Sequence, residues 1–214
     1  MTDAVDRDRI VDALLALAAE RPFEDIGLSD IAARAGIGLA ELRRAFDHKL
    51  DILAAFTRRI DAETLEGLDP GMAEEPARER LFDVLMRRFE LLRPHREALR
   101  SITRGLARDP LLALAWNRVA VGSAVWMLEG AEVETAGWPG RLQVQGLVFA
   151  WARSFRVFLD DDDPGFARTM AELDRRLREA ERRVRRWRNI ASVGEALFGR
   201  RRRRPRDDYE PTPA

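Results

Sequence analysis

The chain has 214 residues, of which 46% are hydrophobic and 35% charged, and its 37 basic and 37 acidic side chains give a formal net charge of zero. It contains no cysteine, so structural disulfides and thiolate catalysis are excluded and nothing argues for an oxidising compartment. The N-terminus, MTDAVDRDR, is no signal peptide, and no apolar run approaches the roughly 20 residues that span a bilayer; a cytoplasmic protein is the expectation.

Residues 6–20 predict a first helix, with Ile10, Leu14 and Leu17 at helical spacing and Arg21-Pro22 as its stop. Phe23 and Ile26 are expected to pin the following loop to the core. Leu28 to Phe46 then reads as two short helices around a tight turn. Ser29-Asp30 is the expected cap of the first, and Ile31, Ala32 and Ala35 form its apolar face. Gly36 ends it, because glycine takes the left-handed conformation without steric cost. Leu42 and Phe46, four residues apart, share the inner face of the second. This is a helix-turn-helix pattern, whose second helix can enter a DNA major groove, although any tightly packed helical pair gives a similar pattern. Asp47 is the expected cap of a fourth helix, which starts near His48-Lys49 and carries Ile52, Leu53, Phe56 and Ile60.

Leu68-Asp69-Pro70-Gly71 is a turn cluster and marks the expected boundary of a second unit. Apolar periodicity predicts a helix over 75–92, another opened by Pro94, and a third from Asp109-Pro110 to about Gly130, with Asp at the cap and Pro at the first helical position. Gly137-Trp138-Pro139-Gly140 is expected to break the chain ahead of a strongly apolar helix over 141–159. Such a helix, apolar on more than one face, is expected to pair with a second copy. A last long helix is expected from Pro164 to about Arg186. No strand alternation and no internal repeat is visible.

From Arg9 to about Ile60 the chain resembles the TetR family of transcriptional regulators. Ile31, Ala32, Ala35, Gly36, Ile37, Leu42, Phe46, Lys49 and Leu53 match the family's pattern. Three positions depart from it: Gly38 replaces a capping Ser, Glu41 occupies a common contact position, and Arg43 replaces a phosphate-contacting Tyr. The resemblance implies an all-α protein with an N-terminal three-helix helix-turn-helix head on a C-terminal helical bundle. The expected units are a head at 1–48, a linking helix at 49–69, a ligand-binding and dimerisation bundle at 70–186, an amphipathic C-terminal helix at 187–199 and a disordered tail at 200–214. It further implies a homodimer on a palindromic DNA operator and a small apolar ligand in the body. The DNA-facing set would be Ser29, Gly38, Leu39, Ala40, Glu41, Arg43, Arg44, His48 and Lys49, with Arg43, Arg44 and Lys49 neutralising phosphates.

A second resemblance covers Gly137 to Arg182. Asp161, Pro164, Phe166, Thr169, Leu173 and Arg176 match the C-terminal signature of the coenzyme Q accessory lipid-binding family. It implies the alternative function, a lipid- or quinone-binding accessory protein of ubiquinone biosynthesis with a vestigial head.

Three further features each allow two readings. Met86, Phe89, Trp116, Trp126, Met127, Phe149 and Trp151 are either plain core or the lining of an apolar chamber. The stretch Arg182–Phe198 is a basic amphipathic helix that either folds back on its own body or lies on an anionic membrane surface. The four aspartates 160–163 are a helix start rather than a metal site. No paired-carboxylate, nucleophile or phosphate-loop signature is present, so no enzyme activity, cofactor or metal is expected.

Overall fold

A computed structural model describes the backbone of residues 2–198 and the side chains of residues 7–183. Among the described residues the chain is all helical. Helix α1 (Thr2–Glu20) is followed by α2 (Leu28–Ala35), α3 (Leu39–Ala45) and α4 (Lys49–Glu66). The body comprises α5 (Ala77–Leu92), α6 (Arg96–Arg108), α7 (Pro110–Gly130), α8 (Gly137–Leu159) and α9 (Ala167–Phe198). The apolar periodicity of α1 does the work expected of it: Ile10, Leu14 and Leu17 are buried against α2, α4 and α6.

Head and body share one continuous core. Phe23 and Ile26 anchor the loop after α1, as expected. Phe23 rests on Gly105 of α6, where an added Cβ would come within 2.9 Å of the ring, so only glycine admits this contact. Around it, Ser101 Oγ donates to the Arg21 carbonyl at 3.0 Å, and Arg108 pairs with Glu24.

Several helix boundaries differ from the sequence expectation, each for a local reason. Helix α2 begins at Leu28, capped by Gly27, whose N–H is bound by the Asp30 carboxylate at 2.8 Å; Ser29 is exposed and caps nothing. His48, not Asp47, is the cap residue of α4, and Asp51 accepts from its N–H at 2.9 Å. Helix α8 starts at Gly137, so the expected break is its first turn, where Pro139 removes no intrahelical hydrogen bond.

Helix α9 starts at Ala167 rather than Pro164. Asp163 accepts from the Ala167 N–H at 2.9 Å, and Asp161 accepts from the N–H and hydroxyl of Thr169 at 2.8 and 2.7 Å. Phe166 between them is left-handed, with φ of 57°, and its ring is buried. The expected division of this segment near residue 186 is absent, since α9 runs unbroken to Phe198. The side chains behind the membrane-or-body reading of Arg182–Phe198 lie, from 184 onward, outside the described residues, as does the tail 200–214.

Helix α7 corrects one expectation. It has 21 residues, and an 18-residue stretch of it reaches a mean hydropathy of 1.4, so by length and composition it is apolar enough to cross a bilayer. Here it packs against α4, α5, α6 and α8.

Candidate nucleic-acid interface and internal cavity

Helix α2 ends in a two-bond cap. Gly36, at φ 69° and ψ 33°, directs its N–H to Ala33 O at 3.2 Å, and the Ile37 N–H reaches Ala32 O at 3.0 Å. This reversal sets the direction in which α3 leaves. Gly38 then opens α3, its carbonyl accepting from the N–H groups of Glu41 and Leu42 at 3.1 and 3.0 Å. Leu42 and Phe46 are buried beneath the helix, as their spacing predicts. The Arg7 guanidinium donates to Ala45 O at 2.9 Å and lies over the Phe46 ring, tying the end of α3 to α1.

The opposite face of α3 projects outward. Leu39 is 54% exposed, and Ala40, Arg43 and Arg44 are exposed beside it; Glu41 is half-buried at the edge. Ser29, Gly38 and His48 are also at the surface. The two arginines differ. Arg43 pairs with Asp47 one turn on, an exposed pair of small energetic worth. Arg44 has no ion pair or side-chain hydrogen bond among the described residues. Elsewhere in the head the cations are engaged, Arg34 by Glu20 and Arg21 by Asp30.

Lys49 is corrected. It does not project as a phosphate ligand. Its ammonium donates to Phe23 O at 2.7 Å and to Ile26 O at 2.9 Å, and it stands over the Phe23 ring at 4.0 Å. Burial pushes its pKa below the ordinary lysine value, with Glu24 and Asp25 opposing. The only lysine of the chain is a fastener between α4 and the loop after α1. The Phe23 carbonyl accepts only a long bond from the Ile26 N–H, at 3.3 Å, and a compact ammonium with three donors reaches it and the Ile26 carbonyl at once.

The body encloses a cavity of about 340 Å³ between α4, α5, α6, α7 and α8. Of the seven aromatic and methionine candidates, Trp116, Met127 and Trp151 line it. The other four do not. Phe89 is fully buried, stacked on Trp151 with ring centroids 4.4 Å apart, and is core. Met86 packs against the core away from the cavity. Trp126 and Phe149 are 58% and 48% exposed on the outside. On a helix the next residue is turned by about 100°, so Trp126 points out because Met127 points in.

The cavity wall also holds a polar cluster that apolar periodicity does not anticipate. Arg88 of α5 pairs with Asp61 of α4 and donates to Ser123 Oγ of α7 at 2.6 Å, while the Ser123 hydroxyl donates to Asp61 at 2.8 Å. Both charged side chains are 8% exposed, and the guanidinium lies 5.0 Å from the Trp151 ring. Burial lowers the pKa of Arg88 from its ordinary value; Asp61 opposes the shift. A signal did exist in the sequence. Thr57, Asp61 and Thr64 recur at i, i+4 and i+7 on the inner face of α4, a polar stripe where core residues are expected. The threonine hydroxyls return to the carbonyls four residues back, at 3.0 and 2.7 Å, which leaves Asp61 to find its partners on other helices.

No group of His, Asp or Glu able to hold a metal ion occurs among the described residues. Asp161 and Asp163 cap α9, and Asp160 and Asp162 lie 3.6 to 4.0 Å from Arg96 and Arg100.

No family model matches the chain. A curated relative, the HTH-type transcriptional repressor KstR of Rhodococcus jostii (strain RHA1), is 34% identical over 113 residues, which is 52% of this chain. The match spans 46%, under half, of that relative's own length. Among solved structures, a TetR transcriptional regulator from Nitrosomonas europaea superimposes with a TM-score of 0.64 at 26% identity, covering 82% of this chain and 97% of the other. A TetR transcriptional regulator from Rhodococcus sp. RHA1, at 17% identity and a TM-score of 0.62 over 84% of this chain and 97% of its own, shares the fold. None of these comparisons supports the coenzyme Q accessory resemblance. The residues that carried it, Asp161, Pro164, Phe166 and Thr169, make the turn that joins α8 to α9.

Proposed function

Since the chain belongs to the TetR family of transcriptional regulators, we propose that it binds an operator as a homodimer and answers to an apolar ligand in its body. The observation that carries the DNA-binding part is the shape of the head. The glycine-terminated α2 holds α3 with Leu42 and Phe46 inward, which leaves Leu39, Ala40, Arg43 and Arg44 outward on one face. In a major groove that face offers apolar contacts for thymine methyl groups and arginine forks for guanine or phosphate. The similarity to a helix-turn-helix transcriptional repressor supports the same reading.

The dimer reading is supported by α8. Trp138, Leu142 and Phe149 are 71%, 44% and 48% exposed and recur at helical spacing on α8, an apolar face of the kind that partner chains cover. The ligand reading is supported by the mainly apolar cavity, with its few convergent polar groups.

The test is selection of genomic DNA fragments by the full-length protein at graded salt. The expected result is a discrete set of fragments, each with two half-sites about 34–36 Å apart or a multiple of that. Failure to retain any fragment in a salt-dependent manner overturns the regulator reading.

A further inference from the structure

We propose that the cavity selects an apolar molecule carrying a neutral carbonyl oxygen, and that the buried guanidinium of Arg88 is the group that receives it. This rests on the ligand-chamber reading above and gives that chamber a chemical class.

The cavity is apolar over most of its wall, and its polar side chains are graded by depth. Asn117 and Arg156 are exposed and mark the mouth, Thr103 is half-buried, and Thr57, Arg88 and Ser123 are buried and form the inner set. Within the inner set most of the donors are already engaged. The Thr57 hydroxyl donates to Leu53 O at 3.0 Å, and the Ser123 hydroxyl donates to Asp61 at 2.8 Å. Arg88 directs Nη1 to Asp61 and Ser123. Its Nε–H is fully covered and has no partner, and no described residue accepts from its Nη2. Arg88 lines the cavity, and buried N–H groups left unpaired are costly, so an entering molecule gains most by bringing an acceptor to the guanidinium.

The charge of that acceptor follows from Asp61. The aspartate already balances the guanidinium, so the inner wall carries no net charge. A carboxylate entering it would be a buried, uncompensated charge, which a low-polarity site strongly disfavours. A hydrocarbon would leave the guanidinium's free N–H groups unsatisfied. A ketone, ester or tertiary-amide oxygen offers them an acceptor, adds no charge and brings no N–H or O–H that needs a further acceptor.

The experiment displaces a neutral apolar dye, N-phenyl-1-naphthylamine, from the full-length protein with n-nonane, 2-nonanone and nonanoate. These share a chain and differ at the end group. The ketone should compete at least tenfold better than either of the others. In the double variant Arg88→Met/Asp61→Asn, which leaves no unpaired charge behind, the ratio of ketone to hydrocarbon should fall towards one, with circular dichroism reporting that the fold is kept. Hydrocarbon and ketone competing equally in the wild-type protein would overturn the carbonyl assignment and leave the chamber standing. Nonanoate competing best would overturn it in favour of an anion site. If neither the dye nor any of the three binds, the chamber reading falls and the assignment falls with it.

Discussion

Lys49 and Asp61 stand on the same helix, roughly 18 Å apart along its axis at 1.5 Å per residue, and each fastens α4 to a different part of the molecule. Lys49 holds the loop that follows α1, through Phe23 O and Ile26 O. Asp61 holds the cavity wall, through Arg88 and Ser123. Helix α4 is therefore shared between the head and the cavity wall.

Arg44 and Lys49, both expected at phosphates from the sequence, should behave oppositely. Arg44→Ala should weaken binding on all sequences and lower the salt slope by about one, as the loss of one phosphate contact requires. Lys49→Met removes two charge-assisted hydrogen bonds and should cost about 1–3 kcal/mol of stability, with the salt slope unchanged. Salt titrations of operator binding and denaturation curves of both variants separate the roles. A lowered slope for Lys49→Met would return that lysine to the phosphate set.

Removing one member of the buried pair should be worse than removing both. Asp61→Ala leaves the Arg88 charge buried without its partner and should cost about 3–5 kcal/mol, whereas Asp61→Leu with Arg88→Met should cost distinctly less. Equilibrium unfolding in urea measures both. Equal losses would mean that the pair is hydrated rather than buried.

At Gly36 the cost is conformational. An added Cβ would meet nothing within 4 Å, yet φ is +69°. Gly36→Ala should then destabilise the protein by about 1–2 kcal/mol, with hydrogen-exchange protection lost first in α2 and α3. Gly36→Asn should cost less, since asparagine tolerates this conformation. Identical melting of wild type and Gly36→Ala would contradict the turn described.

Asp161 supplies a pH dependence. Burial alone would raise its pKa, but the hydrogen bonds from Thr169 outweigh it and hold the carboxyl below its ordinary value. A carboxylate depressed on folding stabilises the protein above the ordinary aspartate range, and that contribution fades as pH falls through the folded-state value. Asp161→Asn should therefore cost about 1–2 kcal/mol near pH 7, and the gap to wild type should close in acid. A gap independent of pH would assign the effect to packing instead.

For the dimer, Phe149→Glu places a charge in the middle of the outward face of α8. Sedimentation should show wild type as a dimer at micromolar concentration and the variant shifted to monomer. A monomeric wild type would exclude that face as a stable interface.

Much of this molecule is a local matter. Ile10, Leu14 and Leu17 declare a helix by spacing alone. Gly36 declares a left-handed turn because few residues other than glycine adopt that conformation cheaply, and Leu42 with Phe46 declares which side of α3 is inner. The head was therefore legible from the chain, including which side of α3 faces outward. What the sequence could not determine was how groups far apart along it divide their hydrogen bonds. Lys49 reads as a surface cation until the carbonyls of Phe23 and Ile26 are brought beside it. Asp61, Arg88 and Ser123 lie on three helices, and nothing in the spacing of any one of them announces the other two. Trp126 and Phe149 read as pocket lining by residue type, yet the phase of α7 and α8 against the rest of the bundle turns them outward. Periodicity states that a helix has an inner face; only packing decides what that face meets, and the buried cluster and the cavity are properties of that meeting.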